Sequence, residues 1–543
     1  MEERRRTPQI QARNRLALMP TTAPADYDVI IIGGGITGTG TARDCALRGL
    51  RTLMIERFDL TAGATGRNHG LLHSGARYAV TDKESASECI SENMILRRVA
   101  AHCVDPSGGL FITLPEDDLG YQQTFIDACR SAGIEAEAID PAEALRIEPS
   151  VNPSIIGAVR VPDASVDPFR LTTANALDAT MHGARILTYT EVRSLVVEGD
   201  TVTGVRIWNK AHGEEMTVRG RIIVNAAGIW GASVAAMAGV QVNMFPAKGS
   251  LLIFGHRVNR MTINRCRKPS NADILVPGDV VSVIGTTSTR VPFEECDDIR
   301  VTAREVDLLL DEGCKLAPRL AYTRVLRAYA GVRPLVASDE DDGSGRNLSR
   351  GIVLLDHEKR DGLRGFVTIT GGKLTSYRLM AQKAADLVCS KLGVERPCLT
   401  ALLPLPGSEL SDGRFHTEGI ARRAAEGRHG RNIVAMDFST KSEVLCECEH
   451  VSRAEIEYAV SRLGVHNLID LRRRTRIGMG TCQGTFCMGK VARALSQAAG
   501  CPEKENEFIR EYVTERWRGI VPVAWGDSLR EMEYMRKRYK DVL

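Results

Sequence analysis

Residues 27–56 read YDVIIIGGGITGTGTARDCALRGLRTLMIE, and this stretch decides the predicted fold. The β-branched run at 29–32 predicts a strand that is buried on both faces. The composition of 36–48 predicts a helix that Gly49 ends, and TLMI at 52–55 predicts a second buried strand. We therefore expect a βαβ unit of about thirty residues at the start of an α/β fold.

The glycines between the first strand and the helix form the pattern GxGxxG. Gly33 permits a tight turn, Gly35 lets the backbone approach a pyrophosphate, and Gly38 lets the helix pack close to the sheet. Glu56 ends the second strand about twenty residues later, where a carboxylate can bind a ribose hydroxyl. A plain strand-to-helix turn is the alternative. The predicted dinucleotide site consists of Gly33, Gly34, Gly35, Ile36, Gly38 and Glu56.

Three later segments favour a flavin over a nicotinamide. TAGATGRNHGLLHSGARY at 61–78 is a glycine-rich polar loop, where a nicotinamide enzyme normally continues with βα units. NAAGIW at 225–230 ends a strand with small residues, and GGKLT at 371–375 is predicted to open a helix. A helix N-terminus aimed at a flavin stabilises the negative charge of the reduced ring. Each segment alone fits a tight turn better, but together they predict FAD.

The composition is that of an ordinary globular chain. Its 543 residues are 43% hydrophobic and 26% charged with 50 glycines, which excludes disordered, collagen-like and coiled-coil classes. The net charge of +3 argues against nucleic acid as a partner. No apolar run reaches the roughly 18 residues that a membrane helix needs. The 14 cysteines suggest a reducing cytosolic compartment and not a disulfide scaffold.

The chain divides into five predicted parts. Residues 1–26 are a predicted disordered leader with five arginines, and 27–398 form an α/β oxidoreductase domain whose cofactor-binding and substrate-binding parts are interleaved. Residues 399–441 are a predicted linker, 442–499 a small separate module, and 500–543 a helical tail.

The glycine fingerprint, HSGARY at 73–78, GVRPL at 331–335 and GGKLT at 371–375 together resemble the FAD-dependent glycerol-3-phosphate dehydrogenases over about residues 27–395. The resemblance implies a glutathione-reductase-like FAD-binding domain with an inserted antiparallel-sheet substrate domain, as in amino-acid oxidases. It implies that Arg77 and Arg333 bind the substrate phosphate, with Tyr78, Arg350 and Lys373 nearby. Arginine suits this role because its planar guanidinium binds phosphate in a bidentate way. Surface arginines paired with acids are the alternative.

The reaction implied is oxidation of the C2 hydroxyl of glycerol 3-phosphate, with a hydride passing to flavin and a proton to a base. His73 has a suitable ordinary pKa, and Lys373 would need a lowered one. We assign the proton to His73 and electrostatic support of the flavin to Lys373, with Arg333 as the third catalytic residue. The other predicted FAD contacts are Thr65, Asn68, His69, Gly70, Val192, Ala227, Gly228, Gly372, Lys373, Leu374 and Thr375.

Four cysteines form a candidate metal site near the C-terminus. Cys446 and Cys448 are spaced C-x-C, and Cys482 and Cys487 are spaced C-x₄-C in a glycine-rich segment. Four thiolates suit a [2Fe–2S] cluster or structural zinc, and an empty site is a further alternative. The segment resembles the bacterioferritin-associated-ferredoxin-like (BFD-like) [2Fe–2S] domains.

Two features are similar to the anaerobic branch of the dehydrogenase family. One is this module; the other is KGS at 248–250 followed by Leu251, where aerobic members carry histidine. The resemblance implies partner subunits of a membrane-associated complex, a menaquinone-type quinone as indirect acceptor, and a cytoplasmic location at the inner face of the membrane.

Arg472, Arg473, Arg474 and Arg476 lie beside the second cysteine pair. A solvated face is the first interpretation of such a run. The second is that the run docks an acidic partner or shields a negatively charged cluster. Two other functions are considered for the whole chain. One is an FAD enzyme of the same fold acting on an amino acid or a 2-hydroxy acid; the other is a flavin-bearing electron-transfer scaffold with a vestigial pocket.

Overall fold

The computed structural model describes residues 26–210, 212–336, 351–408 and 442–542. The predicted leader except for its last residue, most of the predicted linker, and Arg350 lie outside the described residues.

The first sheet is an eight-stranded sheet with a parallel centre. Six strands run in the order Thr190–Glu198, Thr201–Asn209, Glu214–Asn225, Tyr27–Ile32, Thr52–Ile55 and Arg185–Leu187. Strand Phe366–Gly371 pairs in parallel with Glu214–Asn225. On its other side, Phe366–Gly371 pairs antiparallel with Ile352–Asp356. The two strands predicted from 27–56 are therefore central neighbours, with Ile30 opposite Leu53.

Alternate side chains of the central strands enter two different cores, which explains their unbroken apolar sequence. Val29 and Ile31 pack beneath the helices Ile36–Leu47, Pro168–Met181 and Tyr377–Leu392. Ile30 and Ile32 pack on the opposite face, against residues of the antiparallel strands.

The second sheet has nine mostly antiparallel strands. Eight run in the order Thr289–Arg290, Met244–Phe254, Ser282–Gly285, Ile274–Pro277, Thr262–Arg265, Gly109–Thr113, Gly157–Val161 and Glu137–Ile139. Val325–Val336 pairs along the whole length of Met244–Phe254. Helix Ala303–Leu316 packs on this sheet and begins with a capping box between Thr302 and Glu305. The predicted α/β fold with an inserted antiparallel sheet is confirmed.

Smaller elements connect these layers. A three-stranded sheet contains Leu71–Leu72, Ala164–Val166 and Val104–Asp105. The remaining helices of this part are Lys83–Val99, Tyr121–Ser131, Pro141–Ile147, Gly231–Ala236 and His357–Asp361.

The C-terminal part forms one hydrophobic core of its own. It contains the strands Val444–Cys446 and Val451–Ser452 and the helices Arg453–Arg462, Leu468–Thr475, Met488–Ala498, Glu505–Ile520 and Gly526–Arg538. Phe508, Tyr512 and Met535 of the last two helices pack in the same core as Cys446 and Cys487. The tail is thus packed on the cysteine module. No helix among the described residues is both long enough and apolar enough to cross a membrane.

Candidate active site and metal centre

A cavity of about 1500 Å³ opens at the carboxyl ends of the parallel strands and extends to the second sheet. Gly33, Glu56 and Ala227 line it from the first sheet, and Arg333 lines it from the second. The carboxyl edge of such a sheet is where ligands of doubly wound folds bind. We call this space the first cavity.

The glycine turn allows contacts that a side chain would block. Gly33 has a φ of +117°, and a Cβ there would lie 2.5 Å from the carbonyl oxygen of Ala226. A Cβ on Gly38 would lie 1.9 Å from the carbonyl oxygen of Gly33. Gly35 precedes helix Ile36–Leu47 and lines the cavity without a side chain. The helix N-terminus therefore faces the cavity, as a pyrophosphate requires.

Glu56 is held rigidly at the end of its strand. Its carboxylate accepts hydrogen bonds from the N–H of Gly34 at 2.7 Å and of Phe58 at 2.8 Å, and it lines the first cavity. Burial raises the pKa of Glu56, and the two N–H donors oppose that shift. The group therefore lies where it can accept a ribose hydroxyl, and that role stays a prediction.

Most of the predicted FAD contacts converge on the first cavity. It is lined by Gly33, Gly35, Ile36, Glu56, Thr65, Asn68, His69, Val192, Ala227, Gly228, Gly372, Lys373 and Leu374. Gly34, Gly38, Gly70 and Thr375 are not among its lining residues. Thr375 is buried and its hydroxyl accepts from the N–H of His73 at 3.1 Å, so it supports a site residue. The segment 371–375 does not open the helix: Gly371 ends strand Phe366–Gly371, and helix Tyr377–Leu392 begins after the segment.

The structure brings two predicted catalytic residues, His73 and Lys373, together with Tyr78 and His69. The ring of His73 lies 5.4 Å from the ring of Tyr78 and 5.9 Å from that of His69. The Nζ of Lys373 lies 4.7 Å from the centroid of the Tyr78 ring, within the range of a cation–π contact. All four residues line the first cavity.

Arg333 lies on strand Val325–Val336, where its guanidinium is fixed by the protein. It donates to the carbonyl oxygens of Lys248 at 3.3 Å and Thr287 at 3.1 Å, and to the hydroxyl of Thr286. A Cβ on Gly249 would lie 2.5 Å from the same guanidinium. The glycine of the KGS segment therefore makes room for Arg333.

The residues on either side of Gly249 belong to the core. The Nζ of Lys248 binds Glu305 at 2.7 Å, and Leu251 is fully buried opposite Tyr329. Leu251 is not among the residues that line the first cavity.

Arg77 lines the first cavity with a side chain that is only 10% exposed. It donates to the carbonyl oxygen of Ser270 at 3.1 Å and to buried Asp273 at 3.2 Å. Arg77 therefore agrees in part with both interpretations. It pairs with an acid, and it also faces the cavity in which a phosphate is predicted to bind. Asp273 also binds Arg267 at 2.7 Å, and Arg267 in turn binds Glu312 at 3.0 Å, so Asp273 is shared between two arginines.

Sequence reasoning missed two residues of the cavity wall. The guanidinium of Arg57 lies 4.4 Å from the ring centroid of Trp230, and both line the first cavity. Arg57 directly follows Glu56, and Trp230 is the last residue of NAAGIW, so their positions in the sequence could have indicated that both lie at the site.

The four predicted metal-binding cysteines form one cluster. The sulfurs of Cys448 and Cys482 are 3.4 Å apart, and Cys446 and Cys487 complete a ring of mutual hydrogen bonds. These bonds lower the pKa of Cys446 and Cys482 and raise the pKa of Cys448 and Cys487. Four convergent thiols are the donor set that a [2Fe–2S] cluster takes.

Backbone groups complete the surroundings of the cysteine cluster. The N–H groups of Gly478 and Glu449 are directed at the sulfur of Cys446. A Cβ on Gly480 would lie 2.7 Å from the Cβ of Cys448, so the glycine-rich loop can close over the thiols.

Arg474 in the run beside this cluster is buried, and its other three arginines are half-buried and not solvated, so the solvated-face interpretation is wrong. Arg473 and Arg474 bind Asp59, and Arg476 binds Asp167 at 3.0 Å. These acids belong to the first part of the chain. The run therefore docks the module onto the domain that carries the first cavity, and the acids it meets belong to this chain and not to a partner.

Comparison with known proteins yields two family matches. Residues 28–378 match the FAD dependent oxidoreductase family, and 444–497 match the BFD-like [2Fe-2S] binding domain. The chain is 60% identical over 532 residues to one subunit of the anaerobic glycerol-3-phosphate dehydrogenase of Escherichia coli, covering 96% of this chain and 98% of that protein. It is 43% identical over 525 residues to one subunit of the enzyme of the same name in Haloferax volcanii, covering 92% and 88%.

Solved structures share the fold. The glycerol-3-phosphate dehydrogenase of Bacillus halodurans complexed with FAD matches with a TM-score of 0.66 at 23% identity, covering 92% of this chain and 96% of that chain. Glycine oxidase of Geobacillus kaustophilus matches with a TM-score of 0.56 at 23% identity, covering 70% and 99%.

Proposed function

Because this chain belongs to the FAD-dependent oxidoreductase family, and within it to the anaerobic glycerol-3-phosphate dehydrogenases, we propose that it oxidises sn-glycerol 3-phosphate to dihydroxyacetone phosphate. This proposal rests on one observation. The glycine turn at Gly33 and the side chains of Arg77 and Arg333 line the same cavity, and the same chain holds four convergent cysteines.

The residues present fit both cofactors of the family. The turn at Gly33, the carboxylate of Glu56 and the first cavity suit FAD. The four thiols, with backbone N–H groups aimed at the sulfurs of Cys446 and Cys482, suit a [2Fe–2S] cluster better than they suit zinc. When bound, FAD accepts the hydride from C2 of the substrate, and the cluster carries single electrons onward.

Arg77 and Arg333 bind the substrate phosphate in this proposal. Each is immobilised by protein carbonyl groups, so little side-chain entropy is lost when a phosphate binds. A charge-assisted hydrogen bond contributes about 1.5–3 kcal/mol. Phosphate binding at this end holds the C2 hydroxyl towards His73, Tyr78 and Lys373.

The C2 hydroxyl must lose its proton when the hydride leaves. An imidazole nitrogen of His73 takes this proton, because the ring faces the cavity beside Tyr78. The ammonium group of Lys373 lies over the Tyr78 ring and stabilises negative charge that develops on the flavin side.

The cysteine cluster provides the exit for electrons. Cys448 and Cys482 are half-buried whereas Cys446 and Cys487 are buried, so the cluster has one side nearer to solvent. We propose that electrons leave on that side to other subunits of a membrane-associated complex and reach a menaquinone-type quinone. The chain would then be cytoplasmic and held at the inner face of the membrane through those subunits. The names of its relatives describe one subunit of an enzyme, which supports a complex of several chains.

The test is an anaerobic visible spectrum of the holoenzyme before and after addition of glycerol 3-phosphate. We expect the flavin bands to bleach and the broad cluster absorbance to fall in part. L-Lactate and L-proline, as a 2-hydroxy acid and an amino acid, should leave both unchanged. Flavin that responds to either of these and not to glycerol 3-phosphate would overturn the substrate assignment.

A further inference from the structure

A second cavity of about 1260 Å³ lies between the oxidoreductase domain and the cysteine module. Of the residues predicted to bind the cofactors or the substrate, only Asn68, His69 and Gly70 line it. Arg67, Asn68 and His69 line both cavities, so the loop 67–69 forms a wall between them. The other residues that line both are Ala62, Asp297, Ile469, Arg473 and Arg518.

One strand supplies side chains to both spaces. On Val325–Val336, Arg327 and Tyr329 line the second cavity, while Arg333 lines the first. The hydroxyl of Tyr329 donates to the carbonyl oxygen of Asn68 at 2.7 Å and fixes the wall. The second cavity is therefore a structured neighbour of the first.

The opposite side of the second cavity is the loop that carries Cys482. Met479 and Gln483 line the cavity, and the side-chain amide of Gln483 donates to the carbonyl oxygens of Met479 and Gly480 at 3.0 Å. A ligand there would lie between the wall of the first cavity and the cysteine cluster.

The lining of the second cavity has a strong excess of positive charge. Ten arginines and six acidic residues line it. Most of these arginines are paired, as Arg327 is with Glu515 at 3.4 Å. Among the described residues, none forms a hydrogen bond or ion pair with the side chain of Arg67 or of Arg472.

Two arginine donor atoms that have no hydrogen-bond partner among the described residues are buried. The Nε atoms of Arg472 and Arg327 are inaccessible and have no partner in the described part of the chain, and Arg327 is only 6% exposed. Burial and the neighbouring charge of Arg327 lower the pKa of Arg472 to about 10. A buried guanidinium without a partner is unfavourable, so such a group indicates an anion that the site is built to hold.

The remaining walls suit a ring. Phe169, Tyr329 and Trp517 line the same cavity with Val281 and Val283. Its volume is close to that of the first cavity, which has room for a dinucleotide and a substrate. A single inorganic anion would leave most of this space and all of the apolar wall unused.

We propose that the second cavity binds a phosphate ester of nucleotide size, with its phosphate on Arg472 and Arg327 and its ring against the apolar wall. This goes beyond the proposed function, which does not require it. The ring can be an isoalloxazine or a purine, since both are planar and both are carried by phosphate esters.

The test is equilibrium dialysis of the FAD-containing and cluster-containing protein with flavin mononucleotide and, separately, with adenosine monophosphate. We expect one of the two to bind at one per chain, and the one that binds identifies the ring. Inorganic pyrophosphate should displace it from the unmodified protein. Absence of binding by both nucleotides overturns the proposal.

Variants locate the bound nucleotide. Arg472→Gln should weaken its binding at least tenfold, and Arg472→Lys should weaken it less because a positive charge remains. Arg530→Gln is the matched control, since that side chain is 82% exposed and pairs with nearby Asp527. Binding that survives Arg472→Gln but is lost in Arg77→Ala would place the nucleotide in the first cavity and overturn the proposal.

The test is independent of the substrate assignment. Bleaching of the flavin by glycerol 3-phosphate is measured in the same samples, and we expect Arg472→Gln to retain it. Failure to bleach with intact nucleotide binding would count against the proposed substrate alone.

Discussion

The buried carboxylate of Asp59 binds the guanidinium of Arg474, a residue 415 positions later in the chain. Asp59 follows the strand that carries Glu56, and Arg474 lies in helix Leu468–Thr475 of the cysteine module. Burial disfavours the charged carboxylate, but Arg474 and Arg473 outweigh this and lower the pKa of Asp59. This pair therefore fixes the module against the loop that begins at the predicted ribose-binding residue.

Asp59→Asn should separate flavin reduction from electron exit. The substitution leaves two buried arginines without their counter-charge, so we expect the free energy of unfolding to fall by about 3–5 kcal/mol. Reduction of the flavin by glycerol 3-phosphate should persist, while transfer to the cluster becomes slower because the module is no longer held in one position. Anaerobic stopped-flow absorbance measures both steps.

Asp298→Asn is the control for Asp59→Asn. Asp298 pairs with Arg300 at the surface, where both side chains are more than half exposed, and such pairs contribute about 0–1 kcal/mol. Cluster reduction as fast in Asp59→Asn as in this control would contradict a positioning role for Asp59.

Cys446→Ser should abolish the iron–sulfur centre. Cys446 is fully buried and hydrogen-bonds two of the other three cysteines, so its hydroxyl replacement removes one of the four thiolate ligands. We expect loss of iron, of acid-labile sulfide and of the electron paramagnetic resonance signal after dithionite reduction. Cys501→Ser, outside the cluster, should retain all three. Zinc bound in place of iron in the unmodified protein would contradict the cluster assignment.

Local patterns in the sequence were enough to predict the core of the fold. The strands Tyr27–Ile32 and Thr52–Ile55 lie where their apolar runs predicted, because both faces of a central parallel strand are buried and each residue must be apolar. The C-x-C and C-x₄-C spacings predict that the four cysteines converge, because an iron–sulfur cluster takes thiolate ligands.

Pairings between distant segments were not predictable in the same way. The arginine run at 472–476 predicts a solvated face, because a basic run carries no information about the acids it meets. Their partners Asp59 and Asp167 are single carboxylates in unrelated segments. The second cavity depends on the same docking, so no local pattern could indicate it.

Arg77→Ala should weaken substrate binding specifically through the phosphate. Loss of one charge-assisted contact of about 1.5–3 kcal/mol raises KM for glycerol 3-phosphate by roughly ten- to a hundredfold. Steady-state assays with an artificial electron acceptor measure this without partner subunits. Arg160→Gln, at a surface pair with Glu137, should leave KM unchanged. An equal rise in KM in both variants would argue against a phosphate contact.

Substitution of His73 and of Lys373 should distinguish the two candidate bases. If His73 takes the proton, His73→Gln lowers the rate of flavin reduction by about 10²–10⁴-fold with little change in substrate affinity. Lys373→Met should then lower the rate less, because its charge stabilises the transition state without accepting the proton. The measurement is single-turnover flavin bleaching at saturating substrate. A larger loss in Lys373→Met would transfer the role of base to Lys373.

His102 should make the fold sensitive to mild acid. The ring is 4% exposed, with Nδ1 2.8 Å from the Oγ of Ser408 and Nε2 3.3 Å from the Sγ of Cys103, and burial lowers its pKa to about 4. Because the unfolded chain binds this proton more readily, stability is full above the ordinary pKa of 6.5 and falls as the pH decreases towards 4. The linkage relation gives a loss of about 2 kcal/mol at pH 5 relative to pH 7.5.

His102→Gln lowers stability at both pH values through altered packing, but it should remove about 2 kcal/mol of the difference between them. Urea unfolding at pH 5 and pH 7.5 measures that difference, with His212→Gln at an exposed position as the control. An unchanged difference in His102→Gln would mean that other groups cause the acid sensitivity.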